Sequence, residues 1–233
     1  MSELPLLEVR GVSAGYGRSQ VLFDVSLSAK GRGAIAVLGR NGAGKTTLMK
    51  TIMGELGSAG GAVLVAGRDL TRMPTDRRVR LGLGYVPQEY AVFGRLSVRE
   101  NLEVSMLTSR DRAGFKRILA MFPKLAERLD QTASTLSGGE RKMLAIGRAL
   151  LANPTILLLD EPTEGVWIGV IEEIAERLRD LAHEICIVLV EQHLDLALSV
   201  AEYAYVLDRG RVAMQGPSAA VRDDPRLLQY LAP

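Results

Sequence analysis

Cysteine is nearly absent: Cys186 is the only one in 233 residues, so no disulfide can form within the chain. It lies in Ile185-Cys186-Ile187-Val188-Leu189-Val190, a run that predicts a buried strand. There a thiol acts as a small apolar side chain, not as a redox group. No apolar run approaches the about 20 residues that cross a bilayer, which excludes a membrane-spanning helix. Residues 1–10 lack the apolar stretch of a secretory leader, so the expectation is a protein on the cytoplasmic side, free or held at the membrane by other chains. An excess of one charge is also missing. The 29 Lys and Arg against 27 Asp and Glu leave +2, too little to draw the whole surface toward nucleic acid. There are no repeats, low-complexity segments or long linkers. What is present is 47% hydrophobic residues, enough to build the core of one α/β domain at this length.

The residue pattern predicts strands at 6–9 and 21–27, separated by the turn-rich Ser13-Ala14-Gly15-Tyr16-Gly17. Further strands are expected at 35–38, 62–65 and just before Gln88. From about 97 to 152 the pattern turns helical. Ser97-Val98-Arg99-Glu100 is a capping box. Helices follow at 111–122 and 124–129, split by Pro123, and another runs from Ser137-Gly138-Gly139 to about 151. Ile156-Leu157-Leu158-Leu159 reads as a central parallel strand buried on both faces. A helix at 170–181, a strand at 185–190, a hairpin around Arg209-Gly210 and a helical surface tail at 218–231 complete the chain. Arg72, Arg77, Arg78 and Arg80 form a basic cluster that reads as a solvated helix face, with contact to anionic headgroups or an acidic partner as the alternative.

Three motifs carry chemistry. Gly39-Arg40-Asn41-Gly42-Ala43-Gly44-Lys45-Thr46 fits G-x-x-x-x-G-K-[ST]. It follows the apolar run 34–38 and precedes a helix starting near Thr47, the context a phosphate-binding loop requires. Its glycines allow a tight turn with inward N–H groups, and the helix end adds positive potential. Lys45 would reach the β/γ-phosphates, and Thr46 would bind Mg²⁺. Second, Asp160 and Glu161 stand where an apolar strand ends, at the edge where such sheets bind ligands. Asp160 can hold the metal and Glu161 can take a proton from an attacking water. Third, Leu136-Ser137-Gly138-Gly139-Glu140 offers a hydroxyl, two unhindered N–H groups and a helix start, a second phosphate surface. One nucleotide cannot easily use both loops of one chain, so a head-to-tail dimer is the economical arrangement.

These motifs, in this order and spacing, resemble the nucleotide-binding subunit of ATP-binding cassette (ABC) transporters over nearly the whole chain. The resemblance implies an α/β fold: a P-loop NTPase (RecA-like) core with an N-terminal antiparallel β subdomain and an inserted helical subdomain. Residues 1–94 and 151–216 would form the core, 95–150 the helical signature subdomain and 217–233 a helical tail. It implies ATP hydrolysis with Mg²⁺. Tyr16 would stack on adenine; residues 39–47, including Thr47, would cradle the phosphates; Gln88 would touch Mg²⁺ and the attacking water beside Thr46 and Asp160. Ser137, Gly138, Gly139 and Glu140 would close over a partner's ATP.

Three departures from the family pattern stand out. Glu140 replaces the usual Gln. Gln192 takes the place of the usual His, with His193 one residue later; either is a candidate for the γ-phosphate contact, and only His193 can carry a charged proton. Trp167 replaces an Asp that pairs across the dimer, so it either anchors an interface or packs within the chain. Within the family, Val190-Glu191-Gln192 and Glu161-Pro162-Thr163-Glu164-Gly165 resemble importer ATPases of the branched-chain amino acid and urea/amide group. That implies two transmembrane permease chains, a second ATPase chain (with a homodimer as the alternative), and indirectly a solute-binding protein. It also implies the cytoplasmic membrane face as location and no nucleic-acid partner. A soluble ABC ATPase of the iron–sulfur assembly type is the competing class. A P-loop kinase or GTPase is disfavoured by residues 136–140.

Overall fold

The computed structural model describes residues 5–89, 91–107 and 112–231. In chain order, β1 (Leu7–Tyr16) and β2 (Ser19–Ala29) form a hairpin, followed by β3 (Gly33–Leu38), α1 (Lys45–Met53), β4 (Ser58–Val65), β5 (Arg68–Asp69), α2 (Thr75–Arg80) and β6 (Leu83–Val86). The helical stretch holds α3 (Val98–Ser105), α4 (Arg112–Met121), α5 (Pro123–Ala126) and α6 (Gly138–Leu150). The chain then runs through β7 (Ile156–Asp160), α7 (Ile168–Ala182), β8 (Cys186–Val190), α8 (Leu194–Val200), β9 (Tyr203–Asp208), β10 (Arg211–Pro217), α9 (Ser218–Asp223) and α10 (Leu227–Leu231).

Two sheets result. The first is antiparallel, in the order β2-β1-β4-β5. Alternation along β1 turns Leu7, Val9, Val12 and Ala14 inward. That alternation continues through the stretch expected to be a turn, so the turn narrows to Gly17-Arg18. Register shifts between Val9 and Gly15 absorb the irregular residues there. The second sheet has the order β10-β9-β3-β8-β7-β6. All its pairings are parallel except β10 with β9. β7 and β8 are buried at every residue, as uniformly apolar runs at the centre of a parallel sheet must be. Burial raises the Cys186 thiol to about 12, which keeps it inert.

Helix boundaries follow local chemistry. Both α3 and α6 open with complete capping boxes, Ser97 with Glu100 and Ser137 with Glu140. Pro123 takes the first position of α5, where it has no hydrogen bond to lose. The start of the helix expected at 111–122 falls partly on Asp111, which lies outside the described residues, as do Met1 and Pro233. The tail is two short helices, and its Val221 and Leu227 are buried.

The basic cluster needs one correction. Arg72, Arg77 and Arg80 are exposed, but Arg78 is 2% exposed. Its guanidinium donates to the carbonyls of Thr51 and Ile52 at 2.9 and 2.7 Å, and to those of Thr71 and Met73 at 2.9 and 2.8 Å. A cation there supplements the Gly54 N–H at the Thr51 carbonyl, supplies a partner to the Ile52 carbonyl, and complements the dipole at the C-terminal end of α1.

Candidate active site

The site assembles where β3, β6, β7 and β8 end. β3 delivers the phosphate loop. A Cβ on Gly39 would lie 2.5 Å from the Leu207 carbonyl oxygen, and Gly44 has φ 105°, so neither position accepts a side chain. Arg40, Asn41 and Gly42 are exposed at the loop's crest, while Ala43 is buried at its base. Lys45 opens α1 and is buried. Its ammonium donates to the carbonyls of Gly39 and Arg40 at 2.8 and 3.1 Å and lies 3.2 Å from Glu161 Oε1. Thr46 and Thr47 follow in the first turn, Thr47 buried.

Asp160 ends β7 fully buried. Its Oδ2 accepts from the Tyr85 hydroxyl at 3.2 Å, while its Oδ1 is buried with no hydrogen-bond partner. Burial raises the Asp160 pKa; the Thr46 and Tyr85 hydroxyls oppose that shift and the Glu161 charge adds to it. An orphaned carboxylate oxygen beside a threonine hydroxyl is a hard oxygen donor set, which fits Mg²⁺. Among the described residues no cluster of three or more His, Cys, Asp or Glu would cage a metal.

Glu161 has φ 50°, a left-handed conformation uncommon outside glycine and typical of strained functional positions. Its N–H donates to the Val190 carbonyl at 2.9 Å. Two amides grip its carboxylate. Gln88 Nε2 donates to Oε2 at 3.0 Å and to Glu164 Oε2 at 2.8 Å. Gln192 Nε2 donates to Oε1 and Oε2 at 3.1 and 3.0 Å, and to Asn41 Oδ1 at 2.6 Å. The structure thus brings Lys45, Asn41, Gln88, Glu161 and Gln192 together. It does not bring His193. That side chain lines a separate groove of about 310 Å³ with Ile168, Glu172 and Arg179.

Ser137 to Glu140 form the N-terminus of α6, and their bonds run elsewhere. Glu140 accepts from the Ser137 N–H at 2.8 Å and from Arg128 Nε at 2.9 Å. Burial works to raise the Glu140 pKa, but the Ser137 hydrogen bonds and the Arg128 charge outweigh it and leave it lowered. Gly138 is half-buried, whereas a Cβ on Gly139 would meet Val170 Cγ1 at 2.5 Å. The absent side chain of Gly139 thus lets α6 pack on α7. Tyr16 is 47% exposed at the end of β1, free to present its ring. Trp167 is 74% exposed, with its ring lying over Gly169 of the same chain.

Two polar residues at the site have no role assigned from the sequence. Glu191 follows β8 and is buried. It accepts from the Thr163 N–H and hydroxyl at 3.0 and 2.6 Å, and from the N–H groups of Gln192 and His193 at 3.1 and 3.4 Å. Burial raises its pKa and those bonds oppose the shift. A carboxylate straight after an apolar strand was a usable signal, the same one that marked Asp160. Lys142 on α6 donates to the carbonyls of Gln88 and Glu161, and no local spacing announces it.

The model of the family described as "ABC transporter" matches residues 22–164. The chain is 40% identical over 226 residues to the high-affinity branched-chain amino acid transport ATP-binding protein BraG of Pseudomonas aeruginosa, covering 95% of this chain and 97% of that protein. It is 35% identical to the lipopolysaccharide export system ATP-binding protein LptB of Acidithiobacillus ferridurans, covering 98% and 96%. Among solved structures, the ADP conformation of an ATP-binding cassette of an ABC transporter superposes with a TM-score of 0.86 at 26% identity, covering 97% and 98%.

Proposed function

The chain belongs to the ABC transporter family, and from that premise we propose that it is the ATP-hydrolysing subunit of an importer for branched-chain amino acids or a related small polar solute. The observation behind the chemistry is the convergence of Lys45, Gln88 and Gln192, from three separate segments, on the Glu161 carboxylate.

In this reading the loop amides of residues 39–46 and Lys45 bind the β- and γ-phosphates. Lys45 exchanges the Gly39 and Arg40 carbonyls and its Glu161 partner for phosphate oxygens. Glu161, still held by the two amides, orients the attacking water and accepts its proton. Gln192 contributes a hydrogen bond and no titrating proton. Mg²⁺, which Thr46, Asp160 and Gln88 would hold, supplies charge neutralisation at the phosphates when bound. Tyr16 offers its ring face to the base. Ser137, Gly138 and Gly139 of a second cassette close over the nucleotide, and the segment 95–150 passes the resulting motion to two membrane-spanning permease chains. The second cassette is a different chain, one with His and Asp at the places of Gln192 and Trp167.

The solute assignment is supported by the identity to BraG along nearly the whole chain. A lipopolysaccharide-export type of ATPase is the runner-up, favoured by the LptB similarity. Gentle detergent purification of the tagged chain from its native host, with the co-purifying proteins identified, tests both. Two permease-like chains, a second ATPase and a co-expressed solute-binding protein are expected. Lipid-export partners would move the assignment to the runner-up, and soluble partners alone would refute the transport role.

A further inference from the structure

Lys142 lies four residues into α6, in no motif that the sequence reading used. Its ammonium donates to two main-chain oxygens, Gln88 O at 3.1 Å and Glu161 O at 3.0 Å. These carbonyls belong to segments 73 residues apart that leave the paired strands β6 and β7 and meet again through the Gln88 amide on the Glu161 carboxylate.

We propose that Lys142 is a positioning residue for hydrolysis, clamping the main chain at Glu161 so that alignment of the carboxylate depends on the placement of α6. The proposal rests on the reading of Glu161 as the group that acts on the attacking water.

Three observations carry it. First, Glu161 adopts φ 50°, a conformation that persists only where the surroundings over-determine it. One side of its peptide is pinned by the Val190 carbonyl at 2.9 Å; on the other, the Glu164 N–H reaches the Glu161 oxygen only at 3.3 Å. Lys142 supplies the shorter contact on that side. Second, the ammonium stands within the field of Glu164, Glu191, Glu161 and Asp160. Third, Lys142 rides on the rigid helix that Ser137 and Glu140 cap. A tilt of α6 withdraws the ammonium from both carbonyls together. The orientation of Glu161 thereby registers whether the Ser137-Gly138-Gly139 end of that helix is correctly placed.

The test is steady-state ATP hydrolysis by the full chain with its co-purifying partners, together with ATP affinity and thermal midpoint, for Lys142→Met, Lys142→Arg, Glu161→Gln and the double variant Lys142→Met/Glu161→Gln. Lys142→Met is expected to lower kcat about 10- to 100-fold, the scale of a misplaced catalytic group. The KM for ATP should change by less than about threefold, since ground-state phosphate contacts are untouched. Lys142→Arg, which keeps a charged donor, should recover most of the rate. In the Glu161→Gln background, Lys142→Met should add no further loss, because two residues acting through one group are not additive. Wild-type kcat in Lys142→Met, no recovery with Arg, or a fully additive double variant would each overturn the clamp. Wild-type turnover in Glu161→Gln would instead remove the reading of Glu161 and the clamp with it. If Lys142→Met does not fold, Lys142→Ala is read by the same criteria.

Discussion

Two neutral amides and one ammonium surround the Glu161 carboxylate, and each does a different job. Lys45 bridges it to the phosphate loop at 3.2 Å. Gln88 links it to Glu164 and Gln192 links it to Asn41. A carboxylate held from two sides cannot rotate away when Lys45 turns to a phosphate. Gln192→Ala removes both the Glu161 and the Asn41 contacts and should cost about tenfold in kcat, the rate equivalent of one charge-assisted hydrogen bond of roughly 1.4 kcal/mol. His193→Ala should change kcat by less than about twofold, because surface substitutions away from the chemistry have small effects. Steady-state kinetics on the two variants separates them, and the reverse order would return the contact role to His193. The motif residues Lys45, Asp160 and Glu161 were legible in the sequence because strand, loop and helix signals frame them locally. The choice between Gln192 and His193 was not, since it depends on how the backbone turns after β8, where Glu191 accepts two successive N–H groups.

At the scale of elements, helix α1 is held at both ends. Its N-terminus carries the buried Lys45, and its C-terminus meets the guanidinium of Arg78 from α2. A Cβ on Gly54 would press within 2.6 Å of Arg78 Nε, so the glycine makes room for the arginine. Arg78→Met leaves the Thr51 and Ile52 carbonyls with no charged partner. The expected loss is on the order of 3 kcal/mol, a fall of roughly 6–12 °C in Tm. Arg77→Met, on the exposed side of the same helix, should leave the midpoint within about 2 °C of wild type. Thermal unfolding of the two variants decides whether Arg78 is a structural cap or part of a surface patch. The composition of the basic cluster could not reveal this, because a run of arginines has the same letters whether a side chain points to water or to a helix end. Capping boxes were better signals. Ser97 with Glu100 forms as the spacing predicts, since both partners sit within one turn, and Ser137 with Glu140 adds a second box that the sequence reading does not name.

For the whole molecule, the parallel sheet gathers the site at the ends of β3, β6, β7 and β8, while the proposed second phosphate surface at Ser137 makes its bonds to Glu140 and not to that cluster. Such a division is what a two-cassette arrangement requires. Trp167 and Ile168, 74% and 58% exposed, form an apolar step beside the helical groove at the start of α7. Trp167→Ser should leave Tm within about 2 °C while weakening ATP-dependent association with a second cassette by about tenfold or more, as loss of an interfacial aromatic does. Sedimentation with and without ATP reads both quantities. Fold class was legible from alternating strand and helix signals; the partners were not, because the contacts that select them lie on surfaces whose counterparts are other chains. The most direct measurement is single-turnover hydrolysis of ATP by Glu161→Gln. The prediction is that ATP binds with near-wild-type affinity, that an ATP-bound dimer accumulates, and that phosphate release slows at least about 100-fold. Phosphate release at the wild-type rate would contradict the assignment of Glu161 and the mechanism built around it.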